Sequence, residues 1–160
     1  MSKKVLIPLD GSEIGEAALR YVEDLFSTLQ ISGVVEITLM HILVPQTKHI
    51  QVHGAYVDSV EKPLTEEDLK QIKQEALAYL DKSAKVLRNK GVNVNCKVVV
   101  REDNTSSAEE IIKAEEDLGV DLVAMSTHGR RGISRWAFGS VTEKVLRGGN
   151  VPVLVVRAKK

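Results

Sequence analysis

Val5-Leu6-Ile7-Pro8-Leu9-Asp10-Gly11-Ser12, near the start of the chain, runs from an unbroken apolar segment into an acidic glycine turn. A run without polar alternation is what a strand buried on both faces looks like. Proline cannot donate to a central ladder, so Pro8 marks the strand's end. Beyond Ser12, which stands as an N-cap, the apolar positions Ile14, Ala18, Val22, Leu25 and Leu29 recur at helical spacing. The segment Glu13 to Leu29 therefore reads as a helix, and a strand feeding a helix is half of a βαβ unit.

The alternation continues along the chain. Val34 to Val44 is a second strand, and Pro45 to Pro63, with Gln46, Lys48, His49, Gln51, His53 and Gly54, shows no sustained period and reads as a long loop. Thr65-Glu66-Glu67-Asp68 resembles a capping box with Asp in the third place, and Leu69, Ile72, Ala76, Leu80, Ala84 and Leu87 form one helical face up to Gly91. Val94 to Val100 is a third strand. A polar loop then leads, through Ser106 or Ser107, into a helix carrying Ile111, Ile112 and Leu118 and stopped by Gly119. Leu122-Val123-Ala124-Met125 is a fourth strand, Val141 to Arg147 a short helix closed by Gly148-Gly149, and Val151 to Val156 a fifth strand. The pattern β-α-β-α-β-α-β-α-β predicts an α/β fold: one doubly wound, five-stranded parallel sheet with helices on both faces. No linker, repeat or low-complexity tract divides residues 1–160, so one domain is expected.

Composition removes several function classes. Lys plus Arg and Asp plus Glu both number 22, which leaves no global field to hold nucleic acid or an anionic membrane. Cys96 is the sole cysteine, so there is no intrachain disulfide and no cysteine cluster for zinc. It sits within an apolar strand and is expected to be an inert buried thiol. His49 and His53, four apart, would ligate a metal only on a helix and with further ligands, and their loop context argues against a metal. No apolar stretch approaches the ~20 residues of a membrane span, and the apolar run after Lys4 is too short for a signal peptide. A cytoplasmic protein is expected.

In such sheets ligands bind at the carboxyl ends of the strands, where the winding reverses. Two segments there are unusual: Pro8 to Ser12, and Ser126 to Thr142. The stretch Ser126 to Ser140 holds three glycines and three arginines, and Gly139-Ser140-Val141-Thr142 opens a helix. Glycine lets backbone amides approach an anion, arginine adds charge, and a helix start offers unpaired N–H groups, which together make a phosphate cradle. Arg130 is the expected phosphate contact, whereas Arg131 and Arg135 read as a solvated basic face. The plainer structural reading is a surface loop in which Ser140 is an N-cap, with Asp10 serving to turn the chain. His128 has no visible partner for acid-base work. Trp136 and Phe138 are expected to anchor the loop against the core, with Trp136 alternatively covering the phosphate site.

Gly129, nine residues, Gly139-Ser140, then Val141-Thr142-Glu143-Lys144-Val145-Leu146-Arg147 and Val151-Pro152-Val153-Leu154-Val155-Val156 closely resembles the C-terminal signature of the universal stress proteins. Val5 to Glu13 resembles their N-terminus, so the likeness covers nearly the whole chain. In the ATP-binding branch the signature opens with a glycine three residues before Gly129; this chain has Ser126 there. The resemblance implies the strand order 3-2-1-4-5, which spacing alone leaves open beside a flavodoxin-like order. It implies that Asp10 and the backbone at Pro8 and Leu9 face the adenine and ribose, and that Ile42 closes the base pocket. Met125 and Ser126 would lie along the sugar. Gly129, Arg130, Gly139, Ser140, Val141 and Thr142 would hold the phosphates.

The function implied is an ATP-binding regulatory protein of the stress response, acting through nucleotide-dependent shape or partner choice. The implied assembly is a homodimer through Val151 to Val156. No acid, base and nucleophile set is visible, which speaks against dedicated catalysis. A slow ATPase or self-phosphorylating protein, with Ser126, Ser140 or Thr142 near the terminal phosphate and Mg²⁺ as helper, stays open. So do a nucleotide-independent interaction module and AMP or cyclic AMP as the ligand. The resemblance implies a single adenine nucleotide alpha hydrolase-like domain over residues 1–160, and the related nucleotidyl-transferring enzymes of similar topology usually carry Ser-Gly-Gly-x-Asp-Ser after the first strand. Asp10-Gly11-Ser12-Glu13 argues against that chemistry.

Overall fold

The computed structural model describes residues 2–29, 35–44, 48–50, 60–62, 64–127 and 138–158, with the backbone alone for 48–50 and 60–62. The chain begins with β1 (Lys3–Pro8), α1 (Ala17–Leu29) and β2 (Val35–Leu43), followed by two short strands, β3 (Lys48–Ile50) and β4 (Val60–Lys62). Next come α2 (Glu66–Asn89), β5 (Asn93–Val100), α3 (Ser107–Leu118), β6 (Leu122–Thr127), α4 (Ser140–Gly148) and β7 (Val153–Arg157). The five long strands are parallel in the order β5-β2-β1-β6-β7, which is 3-2-1-4-5 when only those five are numbered.

Alternating side chains explain why the central strand β1 is apolar from Val5 onward. On β1, Val5 and Ile7, with Leu9 just beyond, pack against α1 and α2, where Val22, Phe26, Leu80 and Leu87 complete one core. Leu6 points the other way, into a second core with Met40, Ile111, Val123 and Val145 under α3 and α4. Each face of the sheet is therefore covered, as a parallel sheet requires.

The reversal lies between β1 and β6. From β1 the winding proceeds outward to β2 and β5, and from β6 it proceeds the opposite way to β7. The β1–β6 register covers only Val5↔Leu122 and Leu6↔Val123, although β1 runs on to Pro8 and β6 to Thr127. Beyond that register the carboxyl ends of the two strands pair with β2 and β7 but not with each other, and bound a crevice.

Helix starts follow local side-chain chemistry. Thr65 Oγ1 accepts the Asp68 N–H at 3.1 Å while the Asp68 carboxylate accepts the Thr65 N–H at 3.1 Å, closing the expected box before α2. Ser106 and Glu109 close a second box before α3. The stop of α4 depends on a buried acid: the Asn150 N–H donates to Glu115 Oε2 at 3.0 Å, and a Cβ on Gly149 would stand 2.6 Å from Glu115 Oε1.

Three expectations need correction. Regular helix begins at Ala17, not Glu13, because Ser12 to Glu16 forms a turn in which Ser12 Oγ accepts the Gly15 N–H at 2.9 Å. The stretch read as a long loop contains β3 and β4, paired antiparallel. The last strand begins at Val153 rather than Val151, since Pro152 has no N–H and enters the ladder only by accepting from Val123 at 3.0 Å. No helix among the described residues is long and apolar enough to cross a membrane.

Candidate functional site

A cleft of about 160 Å³ opens at the β1–β6 reversal, several times the ~30 Å³ share of one water and so large enough for an organic ligand. Pro8, Leu9 and Asp10 line it from the end of β1, Met40 and Ile42 from β2, and Met125 and Ser126 from β6. Ser107 and Ile111 of α3, Val141 and Thr142 of α4, and Ile14 and Gly15 of the turn before α1 complete the walls. Of the residues expected at the site, Pro8, Leu9, Asp10, Ile42, Met125, Ser126, Val141 and Thr142 are thus brought together. Gly139 and Ser140 open α4 beside them. Gly129 and Arg130, like His128, Arg131, Arg135 and Trp136, lie outside the described residues. Phe138 is 47% exposed, so its side chain does not anchor the loop in the core as expected.

Asp10 turns the chain and lines the cleft at once. Its Oδ1 accepts the Ser12 N–H at 2.9 Å and the Ser12 hydroxyl at 2.6 Å, an Asx-type turn that aims the carboxyl group along the cleft rim. Gly15 is what lets this turn close: a Cβ there would fall 2.2 Å from Asp10 Oδ1. The Leu9 backbone is committed within the protein, its N–H donating to the Met40 carbonyl at 2.8 Å and its carbonyl lying 2.8 Å from His41 Nδ1. A carbonyl only accepts, so His41 Nδ1 carries a proton and donates it to Leu9. Behind His41, at 6.0 Å between ring centroids, Tyr79 donates its hydroxyl to Glu16 Oε1 at 3.1 Å. Burial, reinforced by the Glu16 carboxylate, pushes the Tyr79 phenol up to about 12.

The start of α4 differs from the other helix starts. Gly139 is its N-cap and supplies no side-chain cap, and the first helical bond runs from the Glu143 N–H to the Gly139 carbonyl at 2.9 Å. The amides of Ser140, Val141 and Thr142 therefore have no partner within the helix. Thr142 is 2% exposed and turns its hydroxyl to the Ser126 carbonyl at 3.4 Å. The Ser126 hydroxyl donates to the Gly15 carbonyl and accepts the Ala18 N–H, both at 2.8 Å.

Met40, Ile14, Gly15, Ser107 and Ile111 were not foreseen at the site. A glycine interrupting the period that begins at Ile14 is a sign of close backbone approach, whereas Ser107 reads in the sequence only as a cap. Met40 and Ile111 look in the sequence like any other core-facing apolar residue. Cys96 is half-buried rather than fully buried, with Asp81 and Arg88 each 3.6 Å from its sulfur, and burial pushes its thiol up. Among the described residues no group of three or more His, Cys, Asp and Glu is placed to hold a metal.

Comparison with known proteins agrees with the fold. The chain is 34% identical to universal stress protein MJ0577 of Methanocaldococcus jannaschii over 99% of its own length and 97% of that protein's. The solved structure of MJ0577 superposes with a TM-score of 0.68 at 29% identity, covering 100% of this chain and 99% of that one. Two more distant structures share the fold. A universal stress protein family protein of Arabidopsis thaliana with AMP bound matches with a TM-score of 0.61 at 15% identity, over 98% of this chain and 92% of that one. A universal stress protein in complex with cAMP matches with a TM-score of 0.63 at 14% identity, over 99% and 98%. A model of the universal stress protein family matches residues 1–157, and the chain belongs to that family.

Proposed function

We propose that this protein binds an adenine nucleotide in the crevice between β1 and β6 and acts as a regulatory, nucleotide-responsive protein of the stress response. The observation that carries the reading is the uncapped start of α4 beside a cleft with apolar walls and one acidic rim. Ile42 and Met125 offer apolar surface to a base, and the Asp10 carboxylate can accept hydrogen bonds from sugar hydroxyls. The amides of Ser140, Val141 and Thr142, which have no partner within the helix and lie at its positive end, suit phosphate. Gly129 and Arg130 would complete the cradle. The relatives solved with AMP and cAMP support the ligand class, and ATP is the form we favour. A Mg²⁺ ion would arrive with the triphosphate, since no described cluster is placed to hold it alone.

Binding without dedicated turnover fits two of the three candidate hydroxyls: Ser126 and Thr142 both donate to protein carbonyls, while the exposed Ser140 keeps the phosphoryl-acceptor alternative open. The test is identification of co-purifying nucleotide by mass spectrometry, then calorimetric titration of stripped protein with ATP, AMP and cyclic AMP. Saturable binding that a bulky side chain at Gly139 abolishes is the expected result. No saturable binding of any of the three would sink the reading.

We also propose that β7 pairs with its counterpart in a second copy. Among the described residues it ends the sheet with β6 as its sole neighbour, and Val153 to Val156 are only half-buried, so an apolar edge stands open there. Sedimentation should show a dimer, and Val155→Lys should shift it to monomer or insoluble protein. A monomeric wild type would remove the dimer from the proposal.

A further inference from the structure

We infer that Ser126 is a positioning residue: its hydroxyl fastens the turn leading into α1 to the end of β6, and so fixes the Asp10 wall of the cleft. The inference rests on the nucleotide reading above and deepens it by assigning the residue that stands where the ATP-binding branch of the family has a glycine.

The argument starts from the orphan groups at a helix start. Ala17 is the first residue of α1 and its N–H already uses the Ile14 carbonyl, at 3.1 Å. The first turn of α1 carries no acidic residue. The Ala18 N–H is satisfied instead from the end of β6, on which α1 packs, by Ser126 Oγ at 2.8 Å and 108 residues away in sequence. The same oxygen donates its single proton to the Gly15 carbonyl at 2.8 Å. A serine hydroxyl has one proton to give, so this one is spent on the protein and not on a phosphate.

Gly15 links the fastening to the site. It has no room for a Cβ because Asp10 Oδ1 lies 2.2 Å from where that atom would be. Asp10, Ser12 and Gly15 are joined through the Ser12 hydroxyl, which donates to Asp10 at 2.6 Å and accepts the Gly15 N–H at 2.9 Å. A shift of Gly15 therefore moves the carboxylate that faces the sugar. The Ser126 carbonyl meanwhile receives the Thr142 hydroxyl at 3.4 Å, so one residue touches both the Asp10 wall and the phosphate-side helix.

The test compares wild type with Ser126→Ala, Ser126→Gly and Ser126→Thr, using ATP and AMP calorimetry at a temperature where each variant is folded, and hydrogen exchange of residues 12–18. The Ala and Gly variants should each bind both nucleotides about tenfold more weakly, and the Ala18 amide should exchange at least about tenfold faster. Thr, which keeps the hydroxyl, should recover most of both. Should the Ala and Gly variants fail to fold, Ala18 protection in the wild type, expected to rise on AMP saturation, carries the test together with the Thr variant. Unchanged affinity in Ser126→Ala would reduce the residue to a structural role and overturn the inference. Tighter binding by Ser126→Gly would show the side chain to be an obstruction, also overturning it. A wild type that binds no nucleotide would remove the nucleotide reading and this inference together, whereas normal wild-type binding with indifferent variants removes this inference alone.

Discussion

The starts of α3 and α4 lie on the same side of the sheet and both border the cleft, yet they treat their free amides in opposite ways. At α3, Ser106 Oγ accepts the Glu109 N–H at 3.3 Å and the Glu109 carboxylate accepts the Ser106 N–H at 2.6 Å, so the helix closes on itself. At α4 the cap position is Gly139, which contributes no side chain. A capped start contributes stability, and an uncapped one keeps its donors and its half positive charge for an incoming anion. Under the proposed reading, a single residue at each start separates the helix that would bind phosphate from the one that supports it.

That contrast can be broken most strongly at Gly139. Gly139→Asp gives α4 a cap and places a negative charge where phosphate belongs. It should stabilise the free protein by about 0.5–1 kcal/mol while weakening ATP roughly 100-fold, read by thermal melts and calorimetry on the same samples. Unchanged affinity would mean that phosphate does not sit at α4. Gly15→Ala comes next. Its Cβ would force the Asp10 carboxylate off Ser12, with an expected affinity loss of about tenfold and a stability cost of about 1–2 kcal/mol. Ser106→Ala tests the other side of the comparison: it should cost about 1 kcal/mol of stability in denaturant titration and change nucleotide affinity far less than Gly139→Asp does.

The smallest effect expected is a pH dependence at Tyr79. Its phenol titrates at about 12 in the folded chain against an ordinary 10.0, so between those values the unfolded chain loses a proton that the folded one keeps. The stabilising contribution is complete below pH 10 and lost as pH rises toward 12, and Tyr79→Phe should show a shallower alkaline decline. Because the group is partly solvated, the difference should stay near 1 kcal/mol or below. Coincident alkaline profiles for the two proteins would remove the contribution.

Legibility in the sequence tracked the range of the interactions. The box at Thr65 and Asp68 was readable because both partners lie within one turn. The opening of α4 at Gly139 and Ser140 was readable because it too is a local pattern, and the apolar runs of β1 and β6 declared burial on both faces. The beginning of α1 was misplaced, since Ser12 caps a turn and not the regular helix. That distinction depends on Ser126, a partner far along the chain.

By itself the sequence determined the alternation of strands and helices, the capping chemistry of α2, and the residues leaving β1 and β6 as the chemically unusual ones. Local periodicity and hydrogen bonding within a turn carry that information. Tertiary structure alone decided that Met40 and Ile111 line the cleft, that Gly15 must approach Asp10, and that the Ser126 hydroxyl serves Ala18. Those contacts form only after the sheet has chosen its neighbours and each side chain its face, and nothing in the spacing of residues a hundred positions apart records that choice.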